Sequence, residues 1–273
     1  MGGIALLSSI ISNEAIIRIC IFGVFILLFF SWEKLAPWRV VSENMLQRRF
    51  TNISLMLIST FFMRLLWPAL TISTAYWAQS QQIGLSSFID LPIFISAIGC
   101  FILFDLFIYL QHRLLHLVPF FWRFHRVHHF DTHLDVTSGV RFHPIEAVFS
   151  LLLKALIILV LGAPVITVIL FEITLNALSL FNHANIKIPL KLDYYLRFLL
   201  VTPSVHRVHH SVEIVEHSHN FGFNFLIWDK LFNTYLAPSN DTNKSLVFGQ
   251  KDLSNGPSPA SLYQMLKHPF NKS

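Results

Sequence analysis

Long apolar stretches alternate with polar segments along the chain. The apolar stretches are five in number and cover residues 15–32, 53–75, 91–110, 145–161 and 165–181. Each approaches or exceeds the length of about 20 helical residues that crosses a bilayer. The fourth is short enough to be tilted or re-entrant, and it forms a hairpin with the fifth. No cationic segment precedes the first stretch and no small-residue cleavage site follows it, so we interpret it as an anchor and not as a signal peptide.

The composition agrees with helices that face lipid. Of the 273 residues, 54% are hydrophobic and only 13% are charged, whereas a soluble domain carries about 25% charged residues. Cys20 and Cys100 both lie in apolar stretches, and we expect them to be packing residues, not ligands or a disulfide. The chain is therefore expected to be all-α, an integral membrane helical bundle of about five apolar spans.

The basic residues indicate the orientation of the spans. Seventeen of the 20 Lys and Arg residues fall in segments 34–52, 112–144 and 183–273, which five alternating spans place on one side. The positive-inside rule makes that side cytoplasmic. All 14 histidines lie on the same side. Basic residues that flank spans also explain the net charge of +5, because a nucleic-acid surface would cluster them with exposed aromatic residues.

The remaining three basic residues lie in the apolar stretches. Lys154 and Glu172 are almost equally far from the hairpin turn, so we expect them to meet, either as a structural ion pair or as part of a substrate site. An unpaired charge at this depth costs about 2.5–3.5 kcal/mol. Arg64 and Asp105, in the second and third stretches, are expected to approach each other. Arg18 is expected to snorkel at the non-cytoplasmic end of the first stretch.

The histidines form a repeated pattern. The pentapeptide His-Arg-Val-His-His occurs at 125–129 and again at 206–210. His112-Arg-Leu-Leu-His116 stands just before the first copy. Residues three and four apart share one face of a helix, so each cluster presents its rings to one side. Imidazole is the commonest neutral ligand of transition metals, and the pattern therefore indicates a polyhistidine metal site.

Helix starts and span ends place these clusters at one level. Pro119 and Pro203 are each suited to the first turn of a helix, and Thr202 is suited to cap the second helix. His183 lies at the cytoplasmic end of the fifth stretch. Nine imidazoles are therefore expected to converge in a cytoplasmic helical cap: His112, His116, His125, His128, His129, His183, His206, His209 and His210.

Nine imidazoles exceed what one ion binds, so their number predicts two metals. Imidazole suits iron and zinc alike, whereas magnesium and calcium prefer oxygen ligands. A structural zinc site is an alternative, although it needs only four ligands. His183 is either a ligand or a hydrogen-bonding neighbour, and His268 is expected to lie outside the site. Six further residues are candidates for contacts around the ligands: Asp105, His133, His143, His217, His219 and Asn220.

The order of these motifs resembles the fatty acid hydroxylase superfamily, also called the sterol desaturase family. The matching motifs occur in the same order along the chain: Asp105…His112-x3-His116, His125-x2-His128-His129, Arg-Phe-His-Pro-Ile-Glu (141–146), Asn-His-Ala-Asn (182–185), His206-x2-His209-His210, Asn220-Phe-Gly and Trp228-Asp-Lys-Leu-Phe. The resemblance implies anchor spans in residues 1–100 and a hydroxylase-like catalytic region in 101–236. Residues 237–273 are expected to form a polar tail, in which 261–270 form a short helix.

Membership implies a membrane-embedded, non-haem di-iron oxygenase that uses O2 and acts on a fatty acyl, sterol or related lipid. The motifs do not separate hydroxylation from desaturation or ether cleavage. Some members have a His-x3-His pair where this chain has Ser179…His183, so a tenth ligand is not evident. The chain has no haem, iron–sulfur or nucleotide-binding motif, so electrons are expected from a separate donor of cytochrome or ferredoxin type. Four arginines are expected to form a basic face for that donor or for lipid phosphates: Arg113, Arg123, Arg126 and Arg207.

A different class of function is a non-catalytic membrane metal-binding or transport protein. A transporter places its ligands near the bilayer midplane on several spans. Here every histidine is expected at or beyond the cytoplasmic end of a span. The pattern therefore favours a lipid oxidoreductase whose active site lies at the cytoplasmic membrane face.

Overall fold

The protein is helical throughout the part of the chain that the computed structural model describes, residues 13–41, 45–67, 69–89, 91–238, 246–250, 258 and 260–271. Three isolated bridges are the extended pairings within those ranges. The helices, numbered in chain order, are α1 Glu14–Leu35, α2 Met45–Leu66, α3 Leu70–Ser80, α4 Leu85–Phe88, α5 Ile93–Leu117, α6 Pro119–His129, α7 Pro144–Leu161, α8 Val165–His183, α9 Leu190–Leu196, α10 Pro203–His209, α11 Ile214–His217, α12 Ile227–Leu231 and α13 Leu262–Lys267. The predicted all-α class is confirmed.

Five helical segments are long and apolar enough to cross a membrane. Their bounds are Glu14–Leu35, Met45–Phe88, Ile93–Leu117, Pro144–Leu161 and Val165–His183. These segments contain four of the predicted stretches almost unchanged. α5 continues beyond its predicted end by about two turns and α8 by two residues, and these extensions carry His112, His116 and His183. Candidate ligands are therefore held on rigid extensions of the spans.

The second segment differs from the expected single stretch over residues 53–75. α2 ends at Leu66 and α3 begins at Leu70. Pro68, which lies outside the described residues, occupies the position of the break. A proline removes one backbone donor and disfavours helical geometry in the residue before it. The predicted apolar stretch thus lies within one candidate span but is divided between two helices, a division that apolar content alone does not register.

Side chains of α3, α5, α7 and α8 form the largest apolar core. Cys100 is buried in this core as expected, whereas Cys20 is exposed on α1. Gly162 ends α7 in the left-handed conformation, with φ at 62°, which glycine adopts at little cost. Gly84 packs so closely that an added Cβ would collide with the Gly162 backbone. We call this the turn end of the bundle, and the end at which α5 and α8 terminate the histidine end.

Three charged side chains inside the spans, Arg18, Lys154 and Glu172, form one cluster. Lys154 Nζ lies 3.2 Å from Glu172 Oε1, which confirms the predicted pair. Arg18 Nη1 lies 2.9 Å from Glu172 Oε2. The expectation that Arg18 snorkels was therefore wrong, since a buried carboxylate attracts its guanidinium inward. Glu172 thus faces two cations instead of one.

Asp105 has a different partner from the one expected. Its Oδ2 accepts hydrogen bonds from the Phe225 backbone N–H at 3.1 Å and from Trp228 Nε1 at 2.8 Å. Arg64 is exposed and forms no ion pair with Asp105 in the described part of the chain. The predicted Arg64–Asp105 contact was wrong, because the segment after α11 packs against α5 and its N–H groups donate to the Asp105 carboxylate.

A buried polar network joins the loop after α6 to α2. Arg48 Nη1 lies 2.6 Å from Asp131 Oδ2, and Arg48 also pairs with Asp135. Arg141 is fully buried and donates to Asn52 Oδ1 at 2.6 Å. Burial alone would raise the pKa of Asp131, but the charges of Arg48 and Arg141 outweigh it and hold that pKa below its usual value. The network fixes the histidine-bearing helices against the bundle.

The short C-terminal helix packs onto α2 and α6. Met265 on α13 is buried against Leu55, Val127 and Phe130. His268 follows in a 3₁₀ turn and is 8% exposed, with its ring centroid 4.5 Å from that of Phe130. The predicted short helix over 261–270 is confirmed. Residues 260–271 of the expected polar tail therefore belong to the packed structure.

Candidate metal centre

The nine candidate ligands meet in two adjacent groups at the histidine end. The five-histidine group consists of His112, His116, His125, His129 and His209, and the four-histidine group of His128, His183, His206 and His210. Within each group, one ligand atom from every member lies within 4.8 Å of the others. The groups adjoin, since the stacked His129 and His210 rings have centroids 4.4 Å apart. Two groups agree with the number of metals that the sequence predicts.

The two pentapeptides divide their histidines in opposite ways. In the copy at 125–129, the first and last histidines join the five-histidine group and His128 joins the other. In the copy at 206–210, the first and last join the four-histidine group and His209 crosses over. Residues i and i+4 share a face while i+3 projects to its side. One duplicated motif therefore supplies both groups.

The helices that carry the two copies begin where the sequence predicts. Pro119 begins α6 and Pro203 begins α10. Thr202 occupies the cap position of α10, but its hydroxyl lies 3.0 Å from Ser204 Oγ and caps no backbone N–H. The predicted role of the Thr202 side chain was therefore wrong, although the helix boundary is as expected.

Backbone carbonyls orient two rings of the five-histidine group. His112 Nδ1 lies 2.8 Å from the Phe221 carbonyl, and His209 Nδ1 lies 2.8 Å from the His219 carbonyl. A carbonyl only accepts, so Nδ1 carries the proton and Nε2 keeps a lone pair. The Nε2 atoms of all five members are buried and have no hydrogen-bond partner within the described residues. Five such atoms around one point are a fit for a cation.

Glu146 orients the third ring of this group and was not singled out by sequence. Its Oε1 lies 2.7 Å from His125 Nδ1, and Glu146 is 4% exposed at the start of α7. A carboxylate behind a ligating imidazole fixes its tautomer and raises its basicity. The available signal was a carboxylate at the beginning of an apolar span, three residues after His143. Sequence alone does not show that α7 faces α6.

The four-histidine group has the spacing of nitrogens around one ion. His183 Nε2 lies 3.0 Å from the Nε2 atoms of His128 and His206, and 3.1 Å from that of His210. Two nitrogens bound at about 2.1 Å to one ion are about 3.0–3.4 Å apart for angles between octahedral and tetrahedral. Without an ion, four such lone pairs would face one another. The arrangement fits a second cation.

Backbone carbonyls also orient this group. His128 Nδ1 lies 3.1 Å from the Arg141 carbonyl, and His183 Nδ1 lies 2.7 Å from the Ser179 carbonyl. The Ser179 hydroxyl donates to the Gly139 carbonyl at 2.8 Å. The backbone carbonyl of Ser179 therefore orients His183, while the Ser179 hydroxyl is held by Gly139. His183 is thus held with its Nε2 within 3.1 Å of the Nε2 atom of each other member of the group.

The electrostatic environment favours the neutral form of five of the imidazoles. Burial is the largest cause, and the neighbouring imidazoles add to it. Together they hold five pKa values well below the usual 6.5, those of His128, His129, His206, His209 and His210. A metal binds only the neutral ring. Neutral nitrogens suit iron or zinc and not magnesium or calcium.

Two of the expected neighbours act through the loop after α11. Asn220 donates from Nδ2 to the Leu236 carbonyl at 2.9 Å and accepts from the Leu236 N–H. Asp105 holds the same loop further along, at Phe225 and Trp228. This loop supplies the carbonyls that orient His112 and His209. Both side chains thus contribute indirectly, and neither touches a ligand ring.

Of the four remaining expected neighbours, His219 orients His209 through its backbone carbonyl, and the other three lie at different distances from the groups. His217 is at the edge of the five-histidine group, with its ring centroid 6.1 Å from that of His116. His143 caps α7, where its Nδ1 accepts a backbone N–H at 3.2 Å. His133 is a member of neither group, and its carbonyl accepts a hydrogen bond from Arg48. The structure therefore brings only His217 of these three near the candidate ligands.

The expected basic face is incomplete. Arg207 is 5% exposed and its guanidinium lies 4.2 Å from the Trp38 ring. Burial lowers its pKa to about 9. Arg123 is exposed, and Arg113 and Arg126 are half-buried. Arg207 was therefore wrongly assigned to the surface, because its helix turns that side toward the protein.

A cavity of about 420 Å³ runs between the spans and reaches the centre. Its walls include His112 and His125 of the five-histidine group, and side chains of α1, α2, α5, α7 and α8. At its other end it reaches Lys154 and Glu172. Small-molecule sites occupy about 300–1,000 Å³. An apolar molecule within the bundle can therefore reach the candidate ligands.

Comparison with known proteins connects these features to one family. The sequence model described as fatty acid hydroxylase matches residues 97–234. The chain is 30% identical over 174 residues to the ornithine lipid hydroxylase OlsE of Rhizobium tropici, covering 63% of this chain and 48% of that protein. It is 28% identical over 150 residues to the alkylglycerol monooxygenase of Caenorhabditis elegans, covering 53% and 28%. It is 27% identical over 172 residues to human cholesterol 25-hydroxylase, covering 62% and 61%.

The chain thus spans less than two thirds of the length of each of these relatives. No solved structure has a significant match to it. The matched segment contains all nine candidate ligands and the loop that orients two of them.

Proposed function

The chain belongs to the fatty acid hydroxylase family, and we propose that it hydroxylates a membrane lipid with O2 at a pair of iron ions. The observation that carries the proposal is the convergence of nine imidazoles, in two groups, at the end of a cavity inside the bundle. Relatives named as a lipid hydroxylase, an alkylglycerol monooxygenase and a cholesterol hydroxylase support oxygen insertion over desaturation. The net reaction inserts one oxygen atom into a C–H bond and releases the other as water, consuming two electrons and two protons.

We propose that each histidine group holds one ion. Bound iron supplies the redox chemistry that reduces oxygen, which zinc cannot do because it does not change oxidation state. The chain's own part is orientation, since Glu146 and backbone carbonyls fix five rings with Nε2 aimed inward. Ligands that are already oriented lose little conformational freedom when the ion binds.

The cavity gives the substrate its position. His112 and His125 contribute to its wall, so a hydrocarbon chain in the cavity ends beside the five-histidine group. The spans around the cavity exclude water from the C–H bond that reacts. An apolar substrate can enter from the bilayer between helices without crossing water.

The histidine end is proposed to face the cytoplasm, because the basic residues on that side outnumber the others. Electrons are proposed to come from a separate cytochrome or ferredoxin-type protein. Arg123, together with the half-buried Arg113 and Arg126, offers it a basic surface. The proposed arrangement places donor, centre and substrate within one cytoplasmic membrane face.

The test is lipid mass spectrometry of a host that expresses the protein under isotopically labelled O2. We expect one lipid class to gain a single labelled oxygen atom, and the product to disappear in His128→Ala and His209→Ala while both variants remain in the membrane. Lys191→Ala, an exposed change on α9, is the control. Loss of two hydrogens without oxygen gain would show desaturation. An unchanged product level in His128→Ala would remove the centre from the reaction.

Metal analysis separates the enzyme from the non-catalytic alternative. Protein purified anaerobically under iron-replete conditions should contain close to two iron ions per chain. One ion or fewer in well-folded protein would contradict the two-metal site. Two bound ions without any change in host lipids would favour a metal-binding or transport protein.

A further inference from the structure

The cavity has a polar end far from the histidines. Glu146, Ser150 and Lys154 line the length of the cavity at intervals of four residues on one face of α7. Glu146 contacts His125, so it marks the level of the five-histidine group. Eight residues of helix at about 1.5 Å each separate it from Lys154 by about 12 Å. The polar end, marked by Lys154, therefore lies about 12 Å along α7 from the level of the five-histidine group.

Charged side chains concentrate at this end. Two carboxylates and three cations line it: Glu14, Glu172, Arg18, Arg64 and Lys154. Arg18 lies 3.2 Å from Glu14 and 2.9 Å from Glu172, and Lys154 lies 3.2 Å from Glu172. Arg64 has no ion-pair partner in the described part of the chain. One positive charge is thus left without a counter-charge beside the cavity.

The break between α2 and α3 opens onto the same place. Trp67, Ala69 and Thr71 line the cavity, and the Thr71 hydroxyl lies 3.3 Å from Glu172 Oε2. Non-helical backbone at membrane depth is tolerated where it is buried in protein or lines a cavity. The interruption of this span therefore belongs to the polar end and is not a defect in an otherwise continuous helix.

We infer that this polar end is a recognition subsite for an anionic oxygen group, a carboxylate or a phosphate, on an amphiphilic substrate. Such a group would supply the negatively charged partner that Arg64 lacks. Its oxygen atoms would also accept hydrogen bonds from Arg18 and Lys154. The inference rests on the proposed lipid oxidation. An uncompensated charge in a span is costly, so occupancy by an anion is favoured over a neutral headgroup.

The subsite also sets which carbon reacts. An extended alkyl chain advances about 1.25 Å per bond, from bonds of about 1.5 Å at tetrahedral angles. A separation of about 12 Å, from the helix rise, therefore corresponds to about ten bonds. The oxidised carbon is about eight to twelve carbons from the anionic group, on the hydrocarbon chain and not on the headgroup.

The first experiment measures binding without turnover. Full-length, iron-loaded protein is held anaerobically without reductant and titrated with hexadecanoic acid, hexadecyl phosphate or hexadecanol. We expect at least one anionic probe to bind about tenfold more tightly than the alcohol, equivalent to about 1.4 kcal/mol. The better of the acid and the phosphate identifies the class of anion. Equal binding of all three probes would overturn the subsite.

Variants locate the preference. Arg64→Gln should abolish it, and because Arg64 has no ion-pair partner among the described residues, the variant should fold normally. Lys191→Gln, an exposed change on α9, should retain it. A preference that survives in Arg64→Gln would overturn the assignment. Binding of hexadecanol should be the same in all three proteins.

The second experiment locates the new hydroxyl in the product formed from the better anionic probe. Oxidation about eight to twelve carbons from the anionic group, the span implied by the helix rise, is expected. Oxidation beside the anionic group would overturn the subsite even if the lipid is oxidised. An anionic preference lost in Arg64→Gln, without any product from the wild type, would leave the subsite standing and contradict the proposed function.

Discussion

Glu146→Gln tests how the protein prepares the five-histidine group. Glu146 is 4% exposed, and its Oε1 lies 2.7 Å from His125 Nδ1. Glutamine keeps the size of the side chain and an acceptor oxygen but removes the negative charge. His125 would then resemble His112 and His209, whose Nδ1 atoms face neutral carbonyls. The change therefore isolates the contribution of charge from that of orientation.

The magnitude follows from that comparison. A hydrogen bond to a charged group contributes about 1.5–3 kcal/mol net, and a neutral one about 1 kcal/mol. The difference of about 0.5–2 kcal/mol corresponds to about a 2- to 30-fold loss of affinity. Loss of an outer partner of a metal ligand typically costs about 10–100-fold. The two ranges overlap near a tenfold loss of affinity for the ion of the five-histidine group.

The assay is a chelator competition titration that resolves the two proposed iron ions. Glu146→Gln should weaken the affinity for the ion of the five-histidine group about tenfold. The affinity for the other ion should be unchanged, because Glu146 has no recorded contact with a member of the four-histidine group. Glu216→Gln, a carboxylate change on α11, is the matched control. Equal weakening of both ions would refute the division into two groups, and wild-type affinity for both would refute the role of Glu146.

Three further predictions concern other parts of the molecule. Gly139→Ala should weaken the ion of the four-histidine group selectively, because the added Cβ would lie 3.3 Å from His183 Nδ1 and 2.7 Å from the carbonyl that orients it; equal losses at both ions would contradict this. Glu172→Gln should destabilise the protein by about 3–5 kcal/mol and more than Lys154→Met, since it leaves Lys154 without its ion-pair partner and Arg18 with Glu14 alone, whereas Lys154→Met leaves Glu172 paired with Arg18; the opposite order in thermal unfolding would contradict it. Burial lowers the pKa of His268 from 6.5 to about 4, so the unfolded chain binds a proton in that interval that the folded chain does not, and stability falls as pH falls through it. Proteolysis of the C-terminal helix should accelerate over that interval in the wild type and less in His268→Phe; equal acceleration would contradict the assignment.

The His268 prediction also shows where local interpretation fails. By sequence, His268 stands apart from the three clusters and is expected to be irrelevant to the site. The structure places it outside both groups, as expected, but buries it against Phe130, the residue after His129. Distance along the chain therefore predicted its absence from the centre and did not predict its packing.

The spans and the histidine set could be derived from sequence because both depend on local periodicity. Hydropathy over about 20 residues reports burial in lipid, and spacings of three and four report a shared helix face. The proline at the start of α6 and that of α10 predicted helix boundaries for the same reason. Each of these features is encoded within a few turns of one helix, so no knowledge of neighbouring helices was needed.

Tertiary structure alone decided the partners. Glu146 faces His125 because α7 crosses α6, and Arg18 reaches Glu172 because α1 packs on α8. Asp105 accepts hydrogen bonds from Phe225 and Trp228, more than 100 residues further along the chain, and is not paired with Arg64. The partner of a side chain depends on which helix faces pack together, and the packing of many residues determines which faces those are. The sequence therefore determined which residues are candidate metal ligands, whereas the packing of helices determined how each ring is held and what charge surrounds it.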